Sequence, residues 1–276
     1  MIHLFSPSAN AKSLRFLFRS VSKYRELVWE MTRRDLTERQ AGLAFPAFWV
    51  IGQPLLIMLV YVLIFSLVFN VRLHANDSRF EYTAFLLAGL VPWLAFQEAI
   101  GRAPTCITEN KSLIKQIVFP IEILPLKIAL SSLVVIAIGT VFPLALIGFA
   151  GSAKPLCWLL LPLPIACYLL LTVGCVYIIA SLSVFVRDIR NVVQLGLMIG
   201  LFIHPILYAP GMTSSVANIA FQISPFTHII WLFRDVVLGE FAHPLSWLVA
   251  PCVSVLCLVL GFRTFRALSH MFGDAL

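Results

Sequence analysis

The side chains able to do chemistry are few and scattered. The six histidines, His3, His74, His204, His228, His243 and His270, fall at no metal-ligand spacing, and the six cysteines form no CxxC pair. No HExxH, GxSxG or GxxxxGKS/T motif occurs. The chain therefore lacks a zincin site, an esterase-type nucleophile elbow and a phosphate-cradling loop. Most of the cysteines lie inside apolar runs and read as small buried residues. Glu98 and Arg102 are four apart and can pair on one helix face. A proton relay within a membrane needs a chain of carboxylates or histidines, and the apolar runs offer none. Neither ion coupling nor intramembrane catalysis has a residue set, so uphill transport would draw its energy from a partner.

One polar segment stands out, TENKSLIKQIVFPIEILPLK from Thr108 to Lys127. Thr108 or Asn110 can cap a short helix through a side-chain oxygen. Leu113, Ile114 and Ile117 give that helix an apolar side, and Lys111 and Lys115 a basic one. Phe119-Pro120 stops it. Such a helix suits a soluble partner's grip and equally suits an interfacial loop.

The elements that must carry these segments follow from composition. The chain has 276 residues, 60% hydrophobic and 12% charged, with a mean hydropathy of +0.95. Soluble domains average about 25% charged residues, so this chain cannot cover a water-facing surface. Six apolar runs read as membrane spans, near residues 46–70, 83–101, 123–150, 156–186, 192–209 and 245–265. Pro125, Pro143, Pro162 and Pro164 are tolerated there because neighbouring groups satisfy the freed carbonyls. The spacing predicts an all-α integral membrane protein with a single transmembrane domain over residues 46–276. Residues 1–45 form an N-terminal cytoplasmic segment. Within it Leu14, Leu17, Val21, Tyr24, Val28 and Met31 recur at three- and four-residue steps, with charges on the opposite side. That pattern predicts an amphipathic interface helix; packing on a soluble partner is the alternative. Residues 210–244 are apolar in patches but interrupted by Asn218, Gln222, Ser224-Pro225 and His228. They read as two short helices of a re-entrant element, or as a surface loop.

The net charge of +7 could suggest nucleic acid, but the basic residues lie in short segments between apolar runs. Sixteen Lys and Arg fall on one side of the spans and four (Arg72, Arg79, Lys154, Arg234) on the other. By the positive-inside rule both termini are cytoplasmic, which an even number of spans satisfies.

A series of short segments then points to a family. They are Leu-Val-Trp-Glu-Met-Thr-Arg-Arg-Asp-Leu (Leu27 to Leu36), Phe48-Trp49, Gln53-Pro54-Leu55-Leu56 and Leu87-Ala88-Gly89-Leu90-Val91-Pro92-Trp93. Further on come Glu109-Asn110, Leu113-Ile114, Phe119-Pro120-Ile121-Glu122-Ile123-Leu124-Pro125, Arg187-Asp188-Ile189-Arg190, His204-Pro205-Ile206-Leu207-Tyr208 and Ser224-Pro225-Phe226. In order and spacing, over nearly the whole chain, they resemble the permeases of ATP-binding-cassette (ABC) exporters of O-antigen, capsule and teichoic acid. The resemblance implies a homodimer of six-span subunits in the bacterial cytoplasmic (inner) membrane. It implies two copies of a separate ATPase carrying ATP and Mg, no cofactor on this chain, and a lipid-linked glycan as substrate. It also implies that Glu109, Asn110, Lys111, Leu113, Ile114 and Lys115 couple to the ATPase. The helix bearing Leu17, Val21, Tyr24, Val28 and Met31 would be the gate at the cytoplasmic interface.

Uncharged sugars are held by aromatic faces and hydrogen bonds, and stacking suits a sliding polymer. Trp49 and Gln53 share a helix face at the mouth of the first span, Trp93 and Phe96 lie in the second, and Phe202 and Tyr208 in the fifth. All are candidates for the substrate path, with helix packing or a lipid-facing belt as the alternative. Two rival functions stay open: an ABC permease for a drug or lipid, and a membrane-embedded glycosyl- or acyltransferase.

The topology is tested by a single cysteine replacing Ser112 in a cysteine-free background. An impermeant thiol reagent should label it in inside-out vesicles and leave it unlabelled in intact cells; labelling from outside would refute cytoplasmic placement of this segment.

Overall fold

The computed structural model describes residues 19–38, 45–64, 79–111, 119–208 and 214–275. Every regular element among them is helical. The elements are α1 (Arg25–Glu38), α2 (Pro46–Leu63), α3 (Arg79–Arg102), α4 (Ile123–Ala150), α5 (Pro155–Trp158), α6 (Pro162–Ser183), α7 (Ile189–Ile203), α8 (Ser215–Ile223), α9 (Pro225–Leu238), α10 (Ser246–Ser269) and α11 (Phe272–Ala275). Two short 3-10 turns, Ala103–Thr105 and Thr108–Asn110, follow α3.

Four stretches among the described residues are long and apolar enough to cross a membrane: Phe80–Thr105, Ile123–Ala150, Pro155–Ser183 and Ser246–Ser269. Lipid offers no hydrogen bonds, so a spanning backbone must satisfy itself as a helix. The chain is a multi-pass membrane protein. The other two expected spans are shorter here. Helix α2 is described over 18 residues, and residues 65–70 of that span lie outside the described residues. Helix α7 has 15 residues, about 22 Å at 1.5 Å per residue, against a hydrocarbon core of about 30 Å. It stops at Ile203 because His204 turns extended, as a residue before proline does. The fourth span is also broken: Leu159 to Leu161 separate α5 from α6, and Pro162 takes the N-terminal position of α6.

The core is built by α3, α4, α6, α9 and α10. Small residues let these backbones approach, as is usual in membrane bundles. A Cβ on Gly261 of α10 would sit 2.1 Å from the carbonyl oxygen of Gly174 in α6, and one on Gly174 would sit 2.5 Å from the backbone of Cys257. Cys175 and Cys257 flank this crossing as free thiols, their sulfurs 3.6 Å apart in a hydrogen bond. A Cβ on Gly139 would meet Val91 at 2.8 Å and seal α4 against α3. Helices α2 and α7 sit at the edge, with Leu55, Leu59, Leu195 and Met198 exposed.

The second half of the segment after α7 is buried. In α9, Phe226 to Ile230 and Leu232 to Val237 are buried, packed against α3 and α10. Two of its polar interruptions are satisfied from outside the segment: Ser224 by His204 (Oγ to Nε2, 2.9 Å), and His228 by Ser246 (Nδ1 to Oγ, 3.0 Å). Arg234, a loop charge by position in the sequence, is 4% exposed within the bundle. Its guanidinium donates to the carbonyls of Phe85 (3.2 Å) and Ile206 (2.8 Å) and lies 3.7 Å from the Phe85 ring centroid. It is a structural cation and drops out of the loop count; its removal from the minority side leaves the charge asymmetry in place.

The α6–α10 crossing yields a stability test. Adding a methyl to a filled site costs about 1–3 kcal/mol, and backbone cannot rotate aside. Gly174→Ala and Gly261→Ala should therefore lower the melting point in detergent and the folded yield by size-exclusion chromatography. Gly148, with open space around it, is the control, and Gly148→Ala should be neutral or gain up to about 1 kcal/mol from helix propensity. Equal losses at all three glycines would refute the close crossing.

Candidate functional site

Helix α1 carries the stripe expected of an amphipathic interface helix, but the stripe has a second property. Val28, Thr32 and Asp35 are its buried residues, at steps of four and three, so a carboxylate ends the face that starts apolar. Val21, Tyr24 and Met31 pack beside it on the core, and Leu17 lies outside the described residues. Helix α1 leans mainly on α4 and less on α2 of its own chain.

Asp35 is 5% exposed. Its Oδ1 lies 2.5 Å from Nη2 of Arg102, at the end of α3, and 3.9 Å from Nζ of Lys127, at the start of α4. The expected Glu98–Arg102 pair is present but longer, 4.0 Å from Oε1 to Nη1. Lys127, loop-like in the sequence, is 7% exposed. Sequence spacing pointed to Glu98 and passed over Asp35; the available signal was that Asp35 continues the phase of Val21, Tyr24, Val28 and Met31.

Glu98 and Arg102 line a half-open cavity of about 600 Å³ between α1, α2, α3, α4 and α7. Its polar lining comes from Gln53, Gln97, Glu98, Arg102, Ser131 and Gln194, with Trp49 and Leu36 beside them. Carboxamides and a hydroxyl both donate and accept hydrogen bonds, and an indole gives an apolar face. The wall can therefore hold an uncharged polar ligand with no bond made or broken. Among the described residues no cluster of His, Cys, Asp or Glu could hold a metal ion.

The six aromatic and amide candidates separate into three places. Trp49 and Gln53 meet in this cavity. Trp93 and Phe96 instead join His204 and Phe226: Trp93 lies 5.0 Å from His204 and 5.4 Å from Phe226, and Phe96 4.5 Å from Phe226, between ring centroids. Trp93 is 2% exposed, and a Cβ on Gly200 would meet its ring at 2.4 Å. This cluster borders a second, largely apolar cavity of about 450 Å³ that also touches Cys175 and Cys257. Phe202 is 58% exposed on the open side of α7. Tyr208 stacks on Phe221 at 6.1 Å and donates to the carbonyl of Phe202.

The helix that Thr108 or Asn110 was expected to cap, from residue 112 onward, lies outside the described residues. Thr108 donates back to Thr105 (3.1 Å) and Asn110 to Cys106 (2.8 Å), which locks the two 3-10 turns together. Glu109 and Lys111 are described at the end of this segment. Leu113, Ile114 and Lys115 lie outside the described residues.

Comparison with known proteins agrees with this architecture. Residues 26–238 match the ABC-2 type transporter family. The O-antigen export system permease protein RfbA of Myxococcus xanthus is 27% identical over 268 residues, covering 94% of this chain and 99% of its own length. A protein of the same name from Klebsiella pneumoniae is 26% identical over 252 residues, covering 91% and 95%. With its apolar helices, its cavity and a family match from α1 through α9, the chain belongs to the ABC-2 type transporter family of membrane permeases.

Proposed function

We propose that this chain is the permease subunit of an ATP-driven exporter that moves a lipid-linked polysaccharide across the bacterial cytoplasmic membrane. The observation that carries this reading is the cavity beside α1, where Trp49 stands with Gln53, Gln97 and Gln194. One aromatic face and three carboxamides match the needs of neutral sugar rings, which offer apolar faces and hydroxyls that both donate and accept. The near full-length similarity to two permeases named for O-antigen export supports the same substrate class.

In this reading two copies of the chain form a channel, and both termini and the α3–α4 connection face the cytoplasm. The subunit has six spans, α2 and α7 among them, with α8 and α9 as a re-entrant element. The exposed apolar faces of α2 and α7 are where a second copy and membrane lipid would be accommodated. ATP and Mg belong to two copies of a separate ATPase, which grips the segment Glu109 to Lys115. Helix α1 is the gate at the cavity. The apolar second cavity favours the competing assignment, a permease for a lipid or drug; such a cargo would depend on Phe96 and Phe226 and tolerate loss of Gln53.

Cells lacking the native permease and carrying the whole exporter provide the test. Trp49→Ala and Gln53→Ala should each cut surface glycan well below wild type while expression and ATPase co-purification persist. Full export by the Trp49→Ala, Gln53→Ala double variant would remove this cavity from the substrate path.

The coupling segment generates a second prediction. Losing a buried interface anchor commonly costs about 2 kcal/mol or more, roughly a thirtyfold loss of affinity. Leu113→Asp or Ile114→Asp should release the ATPase on purification and stop export, whereas Lys111→Ala, a rim charge, should act mildly. Normal retention and export in both Asp variants would take this segment out of the coupling role.

A further inference from the structure

The charges under α1 exceed what a static staple needs. Asp35 with Arg102 would suffice to pin the helix, yet Arg102 has a second carboxylate in reach. Glu98 sits one turn earlier on the same helix, its Oε1 4.0 Å from Nη1 while Asp35 holds Nη2 at 2.5 Å. Glu98 and Arg102 both line the cavity, as does Leu36, the neighbour of Asp35. We propose that Asp35 is a positioning residue for transport: Arg102 exchanges between Asp35, which holds α1 down over the cavity, and Glu98, which takes the guanidinium when α1 lifts.

The reason is the cost of an unpaired charge. Breaking a buried ion pair by removing one partner leaves an uncompensated charge and is strongly unfavourable. A gate held only by Asp35 and Arg102 would meet that cost at each opening. Glu98 lowers that cost for Arg102, because residues four apart on a helix can pair without moving the backbone. Asp35 leaves with α1 toward water, where its charge is solvated. Lys127 stays at the start of α4, 3.9 Å from Asp35 in the held position, and draws α1 back. The apolar contacts that the motion must break are mostly partial: Val28 is buried, and Leu27 and Met31 are half-buried against the core.

Cys106 is a native reporter for the exchange. It lies in the first turns after α3, is 2% exposed, and senses Lys127, Arg102, Asp35 and Glu109 together. Burial pushes its thiol up to about 12, so both access and ionisation suppress its reaction with a maleimide in this arrangement.

The inference rests on the transporter reading only for the purpose that the exchange serves. Its experiment uses the complex of the permease and its ATPase in inside-out vesicles. Cys106 is kept, and Cys157, Cys167, Cys175, Cys252 and Cys257 are replaced by alanine. The measured quantity is the rate of labelling by a membrane-impermeant maleimide. Asp35→Asn should raise the rate by about tenfold or more, because the held position loses its carboxylate. Glu98→Gln should lower it severalfold, because the lifted position loses its own. Opposite signs are the signature; two destabilising changes in a static staple would both raise labelling. Any other pattern, including no change in Glu98→Gln, overturns the exchange. If Asp35→Asn fails to fold, Asp35→Glu should restore near wild-type labelling, and Glu98→Gln must still slow it. The assay needs no glycan. Opposite shifts in a complex that exports no polysaccharide would refute the substrate assignment and leave the exchange standing, and normal glycan export with like-signed shifts would do the reverse.

Discussion

The buried guanidinium of Arg234 holds together the part of the bundle where helices break. A charged side chain within a membrane protein is costly and persists only when it faces protein and finds partners. Its partners here are carbonyl oxygens of Phe85 and Ile206. The second exists because α7 stops at Ile203 and the chain turns through His204-Pro205, which frees backbone acceptors. Tyr82 contributes a weaker bond to the next carbonyl, that of Leu207, at 3.4 Å. Gly89 makes the room: a Cβ there would lie 3.1 Å from Arg234 Nη2. One cation thus ties α3, the break after α7, and α9 into one unit. Short helices can sit deep in a bundle only on such terms, because irregular backbone in a membrane must be satisfied by protein.

The opposite end of α3 obeys the same rule with side-chain rather than backbone acceptors. Lys127 and Nη2 of Arg102 reach Asp35 because α1 brings it to them, while Nη1 of Arg102 faces Glu98 at 4.0 Å. An amphipathic helix therefore becomes part of the bundle through one residue at the end of its buried face. The cavity is a consequence. Helix α1 closes one side of a space that α2 and α7, being at the edge of the fold, leave open against α3 and α4. Apart from Glu98 and Arg102, the polar groups lining it are neutral hydrogen-bonding groups.

Much of this was legible in the residue order. Helical class, membrane residence and the bounds of α4 followed from hydrophobic run length, since 28 residues without a break can do little else in a bilayer. The break at Ser224-Pro225, the end of α3 near Gly101, and the amphipathic α1 were equally marked by proline, glycine and helical period. The family resemblance, carried by short ordered segments, agreed with the match over residues 26–238. Trp49 and Gln53 were paired by spacing alone, because neighbours on a helix face need no tertiary information.

What only the tertiary structure decided concerns residues whose role depends on a partner far along the chain. Arg234 and Lys127 are indistinguishable from loop charges in sequence, because burial of a cation is a property of its acceptors, here 149 residues away at Phe85 and 92 at Asp35. Trp93 and Trp49 look alike as aromatic candidates, yet Gly200 receives Trp93 into the packed core while Trp49 borders the cavity. Asp35 lay in plain view in the helical phase of α1 but counted as one more polar residue. Periodicity specifies which face of a helix turns inward; it does not specify whether the inward face meets hydrocarbon or two cations.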